Sequence, residues 1–157
     1  MEYWFWENLW GNGRINPDPM ARENIMILGW FALTLGAHQV SSGDRAFDTP
    51  GSLPLRWSER KTYFYDFPKI AETLVSWYAI LIKALCVSSR EPDWVFAYCN
   101  EQGISGLKLY DRVHGTQHAE RLLPLFRQRL DEEFTRPDGG QNLIYANRIG
   151  MALGGGL

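Results

Sequence analysis

A chain of 157 residues with 45% hydrophobic and 22% charged residues has room for one domain with a core of its own. A formal charge of −2 gives no electrostatic pull toward nucleic acid or an anionic membrane. Two cysteines, Cys86 and Cys99, exclude a disulfide scaffold, match no zinc spacing and suit a reducing compartment.

The opening "MEYWFWENLW" has no basic region and no small-residue cleavage site, so it does not read as a signal peptide, and a cytoplasmic location is favoured. Its Tyr3, Trp4, Phe5, Trp6 and Trp10 are costly to leave in water. They are expected to fold back into the core or to mark the cut end of something larger.

"NPDPMARENIMILGWFALTLGAHQVSSGD" reads as a long helix, with Asp18 as N-cap, Pro19 at the first helical position and Gly43 closing it. From Ile25 to Leu35 it is apolar on every side, which predicts a buried helix. The apolar runs are shorter than the roughly 20 residues of a membrane span, so an integral membrane protein is not expected. His38 falls near the helix end, a surface or C-cap place.

Pro50, Gly51 and Pro54 then break the helix, and "LPLRW" and "TYFYDF" read as a hairpin around "SERK". Asp66 caps a second helix over residues 67–87, with Ile70, Leu74, Trp77, Tyr78, Leu81 and Leu85 inward. A third helix is predicted from Glu91-Pro92 to about His114. It carries Val95, Cys99, Gly103, Gly106 and Tyr110 along one stripe. A helical Gly costs about 1 kcal/mol relative to Ala, so two on one stripe imply close approach of a neighbour or ligand.

The fourth helix, "TQHAERLLPLFRQRLDEEF", starts at a Thr116 cap and turns Leu123, Phe126, Leu130 and Phe134 inward, with Pro124 a point of bending. Arg121, Arg127 and Arg129 form its solvated face. After the turn "RPDGG", "QNLIYANRIGMAL" reads as extended. The sum is one mostly helical unit built from helical hairpins, with one short β-hairpin.

The residues offer several chemistries, each with a structural counterpart. Cys99 is an acid, base or nucleophile, or a small buried apolar residue. Asn100, Glu101 and Gln102 line a pocket or satisfy backbone groups. His114 and His118 stand four apart, a metal-compatible spacing, but Gly115-Thr116 breaks the helix between them, so no metal is assigned. Glu91 and Asp93 suit a helix dipole. Tyr63, Tyr65 and Asp66 form a cavity rim, or else hairpin packing and an N-cap. Trp30 and Trp94 wall an apolar pocket or pack the core.

The ordered set "DPMARENIM" (18–26), "TYFYDF" (62–67), "EPDWVFAYCN" (91–100) and "YDRVHGT" (110–116) resembles the linalool dehydratase/isomerase-like proteins. The resemblance implies an α/α toroid of paired helices whose interior, acidic and aromatic, dehydrates, hydrates or isomerises an alkenol without an organic cofactor. Such an enzyme is a lyase (hydro-lyase) or isomerase, and its partner is a small apolar alcohol or alkene. The chemistry asks for a group that protonates the leaving oxygen and for aromatic faces beside the developing cation.

Carried over residue by residue, Cys99 matches the second cysteine of the family motif and is the catalytic candidate. Arg90 stands where the first cysteine lies. Met26 matches a methionine, and Trp30 stands at the place of a histidine one turn further on. Met26, Trp30, Tyr65, Arg90, Trp94 and Asn100 are the expected substrate-binding set. A closed toroid needs about a dozen helices, so residues 1–157 are expected to be one unit of a larger, incompletely represented toroid domain. The two lost side chains favour a non-catalytic, homo-oligomerising fragment over a complete enzyme. A carbohydrate-processing toroid is a further alternative, though no inward carboxylate pair stands out.

Overall fold

The computed structural model describes residues 18, 20, 25–83, 94–142, 144–146 and 151–153. Expectations for Cys86, Arg90, Glu91, Asp93 and the aromatic start lie outside them, as do the side chains of Leu81, Trp94 and Val95. The described part is mainly helical: α1 (Ile25–Ser42), α2 (Phe67–Lys83), α3 (Ala97–His114) and α4 (His118–Phe134). Strands β1 (Leu53–Ser58) and β2 (Lys61–Tyr65) form one antiparallel hairpin, as expected. Strands β3 (Trp94–Phe96), β4 (Ile144–Ala146) and β5 (Met151–Leu153) form a second antiparallel sheet in the order β3-β4-β5.

That second sheet corrects two expectations. The fold has more than one short β-hairpin, and "WVF" at 94–96 does not open the third helix. It is extended, with Trp94 opposite Ala146 and Phe96 opposite Ile144. The β-branched and aromatic trio Trp-Val-Phe favours a strand once a partner strand is at hand. A helical reading of the sequence between Pro92 and Ala97 had only the capping signal to go on. The extended reading of the C-terminal stretch holds for β4 and β5.

Hydrogen bonds mark the helix ends. Gly43 adopts φ 72° and its N–H donates to Gln39 O at 2.9 Å, closing α1. Asp66 caps α2 by accepting from Lys69 N at 2.8 Å, and its second oxygen accepts from Gly51 N at 3.2 Å, tying the hairpin's entry to the helix. Gly115, at φ 68°, stops α3. Thr116 is not the cap of α4. The Asp111 carboxylate, one turn back on α3, accepts from His118 N at 3.0 Å and Ala119 N at 2.7 Å, and from the Thr116 hydroxyl.

Contact partners fix the helix directions. A Cβ at Gly29 would meet Gly103 N, one at Gly106 would meet Ala32, and one at Gly36 would meet Leu109. The numbers rise together, so α1 and α3 run parallel. Phe67 meets Tyr110 while Tyr78 meets Asn100, so α2 runs antiparallel to α3. The short turn after Gly115 returns α4 antiparallel to α3, where Phe134 reaches Ala97 and Tyr78 meets Phe126. The core between these layers holds Leu28, Ala32, Phe67, Ile70, Leu74, Tyr78 and Leu107, each at most 1% exposed.

Two further expectations change. α1 is buried on one face only: Leu28, Gly29, Ala32, Leu35 and Gly36 face inward, whereas Trp30 is 45% exposed. With a mean hydropathy of 1.2 over 18 residues, α1 is long and apolar enough to cross a membrane, a test that core helices also pass. On α4 the deepest positions are Ala119, Leu122 and Phe134, while Leu123, Phe126 and Leu130 are half-buried.

The α1–α3 contact yields a prediction. A Cβ at position 106 would lie 2.6 Å from Ala32 Cβ and 2.8 Å from Leu33 N. Gly106→Ala should therefore lower the urea unfolding midpoint. The overpacking cost of about 1–3 kcal/mol exceeds the gain of about 1 kcal/mol from replacing a helical glycine. An unchanged or raised midpoint would show that the helices are free to move apart.

Candidate functional site

The first turns of α3 gather most of the chemistry that the sequence offered. Cys99 is 6% exposed and part of the main core cluster. Asn100, 7% exposed, donates from Nδ2 to Phe96 O at 2.9 Å, bridging the last residue of β3 to the helix. The Asn100 carbonyl accepts from the Tyr78 hydroxyl at 2.6 Å. Burial, then the proximity of Cys99, push the Tyr78 phenol far up from its ordinary value. Thiol, amide and phenol thus share one apolar region among α1, α2 and α3.

The other proposed residues divide into groups. Trp30 lies on the outer side of α1, its ring edge-on to Tyr98 at a centroid separation of 6.3 Å. Tyr98 is itself 55% exposed. Met26, one turn before Trp30 on α1, is half-buried against the core. Tyr65 is buried at the end of β2, and its hydroxyl donates to Asp18, which also accepts from Met20 N at 3.1 Å. Burial and that carboxylate hold the Tyr65 phenol well above its usual range.

Tyr65 precedes Phe67, whose ring meets Tyr110 and His114 at the far end of α3. That end is about 16 Å along a helix from Cys99. The structure therefore joins Cys99 with Asn100, and Trp30 with Tyr98, but leaves Tyr65 in a separate place.

At the far end, His114 stacks on Tyr110 with centroids 3.9 Å apart. Its Nδ1 lies 3.0 Å from Tyr110 O and its Nε2 lies 3.1 Å from Asp48 Oδ1, so both ring nitrogens are engaged. With α3 broken at Gly115, His118 does not continue the helical face on which His114 lies. Asp48 also accepts from Gln39 Nε2 at 2.7 Å and from Arg45 Nε. Burial pushes its carboxyl up, but the bonds from Gln39, Arg45 and His114 outweigh it and hold the group below the usual carboxylate range. This cluster pins residues 45–48 to the ends of α1 and α3. His38 is exposed beside Asp44, the surface place expected of it.

A cleft of about 460 Å³ opens at the α3–α4 turn among Lys108, Asp111, Arg112 and Glu120. Its charged walls suit no apolar alcohol, and Cys99 is not among its lining residues.

A sequence model of the linalool dehydratase/isomerase family matches residues 1–155. The chain belongs to that family. The resemblance read from "EPDWVFAYCN" and its companions is thus shown over essentially the whole sequence. A linalool dehydratase/isomerase-like domain here has the thiol at 99 and the amide at 100 on a helix that begins at Ala97, six residues after the Glu91 that the sequence implied.

Sequence reasoning missed Tyr78 as more than a core ring, and missed Asp48 and Asp111. Tyr78 showed only its helical periodicity. The other two are bonded to groups brought in by the fold, 66 positions away for Asp48 and His114.

Two outcomes are expected. The folded Asp48 carboxyl titrates below its unfolded value of about 3.9, so its stabilising contribution is full above that pH and is lost as pH falls through the folded value. Urea titrations below about pH 4 should show the loss, and Asp48→Asn should be less stable at pH 7 with a shallower acid limb. Asp111→Ala, which removes the cap of α4, should cost about 0.5–2 kcal/mol in the same assay at pH 7.

Proposed function

We propose that this chain carries out acid–base dehydration, hydration or double-bond isomerisation of a small apolar, terpene-like alkenol, as a lyase or isomerase. Family membership over residues 1–155 supports the reaction class. The observation that carries the structural side is the direction of the helices. α1 and α3 lie parallel in close contact, while α2 and α4 return antiparallel behind them. A ring of in-and-out helical pairs requires this alternation, with α1 and α3 as inner helices of an α/α toroid. Their free face, bearing Trp30 and Tyr98, would then look into the ring.

In that setting the aromatic pair has a task. Ring faces attract the cationic character that develops as an allylic hydroxyl leaves. Cys99 follows Tyr98 directly, about 100° further round α3. It lies in the main apolar core cluster, and a thiol is a group able to give a proton to a leaving hydroxyl. Asn100 fixes the start of the helix rather than the substrate, because its amide is committed to Phe96 O. Met26 borders the same side of α1 as Trp30, and Arg90 and Trp94 precede the helix that carries the thiol.

Incubation of the purified protein with linear terpene alcohols, with products followed by gas chromatography, tests the reading. Cys99→Ala should lower turnover about a hundredfold or more, the usual worth of a general acid. Trp30→Ala should slow it while leaving the fold intact, since the residue is 45% exposed and outside the buried core. Equal turnover in Cys99→Ala and the parent removes Cys99 from the mechanism.

A further inference from the structure

Tyr78 crosses from α2 into the hydrogen-bond ladder of α3. Its hydroxyl donates to Asn100 O at 2.6 Å, so the side chain of a residue 22 positions upstream is bonded to a backbone carbonyl of α3. The position is made for it: Gly103 lies against the hydroxyl, and a Cβ there would overlap it. On the other side of the same turn, Gly29 lets the α1 backbone approach Gly103 N and Cys99 O.

Three elements thus grip one turn of α3. β3 holds it through Asn100 Nδ2, α1 through Gly29, and α2 through the Tyr78 hydroxyl. Cys99 is the residue just before the carbonyl that Tyr78 holds. A hydrogen bond in apolar surroundings is electrostatically stronger than one in water. At 1% exposure Tyr78 has no route to a substrate of its own.

We propose that Tyr78 is a positioning residue: its hydroxyl, bonded to the Asn100 carbonyl and seated against Gly103, fixes the turn that carries Cys99 and so aims the thiol. This rests on Cys99 as the acid or base, but the geometric claim is tested independently of turnover. Tyr78→Phe keeps the ring against Phe126 and removes only the hydroxyl that meets Asn100 O.

Two readouts apply. First, alkylation of Cys99 by iodoacetamide, followed across pH by peptide mass to separate it from Cys86, should speed up about threefold or more in Tyr78→Phe, as a turn released from its grip exposes its thiol. Second, Gly103→Ala should be strongly destabilising alone and about tenfold less so, in the folding equilibrium constant, when combined with Tyr78→Phe, because the two sites share one contact. Unchanged alkylation profiles, or strictly additive stabilities, would overturn the proposal. Should Cys99→Ala retain full turnover, the catalytic reading falls, while the alkylation and coupling results still decide the role of Tyr78.

Discussion

Helices α1 and α3 approach until backbone meets backbone. The places of contact are Gly29 against Gly103 and Cys99 O, and Gly106 against Ala32 and Leu33 N. Glycine inside a helix is unfavourable by about 1 kcal/mol each relative to alanine. The fold recovers that cost only if the absence of side chains is used, and here it is used twice over. The gap left at 103 receives the Tyr78 hydroxyl, and the gap left at 29 lets the backbones of α1 and α3 meet at Gly103 N. With α1 and α3 locked in parallel, α2 and α4 have one way to cover them, and the residues left outside, Trp30 and Tyr98, are thereby selected.

α3 is held differently at its two ends. At its start the partners are neutral: Phe96 O, the Asn100 amide and the Tyr78 phenol, all in apolar surroundings. At its end they are charged or titratable: Asp48, Arg45, His114 and the Asp111 cap. The difference follows from burial. A carboxylate is stable where it has several donors and some solvent, as Asp48 has with three donors and a side chain 18% exposed. Tyr78 is 1% exposed, and there a neutral hydroxyl rather than a charge meets the backbone of α3.

Much of the fold could be read from local signals. Gly43, Asp66 and Gly115 mark helix ends through chemistry that one turn of chain contains, and the structure places all three where that chemistry puts them. The glycine stripe predicted close approach, and the approach is there. What failed was non-local. Residues 94–96 read as a helix start because their strand partner lies some fifty positions downstream, at 144–146. Thr116 read as a cap because the true one, Asp111, reaches back across a turn that only the folded chain forms. For the candidate site, Cys99 and Asn100 were legible through the motif. The hydroxyl that holds their turn was not, since helical periodicity marks a tyrosine as buried without saying where its oxygen ends.

The arrangement has a consequence for how acid–base chemistry could be built on such a helix. Tyr98 and Cys99 are neighbours in sequence but face different media, one half in solvent and the other 6% exposed. On a freely rotating or fraying helix, about 100° between successive residues is a weak distinction. On a turn gripped from three sides it becomes a fixed partition, with the aromatic ring available to a substrate and the thiol withheld from water. A leaving hydroxyl needs both a proton donor and a face that tolerates positive charge, and bulk water competes with each. Rigidity at residues 99–104 therefore bears on function even though none of Tyr78, Gly103 and Gly29 carries a reactive group on the exposed face.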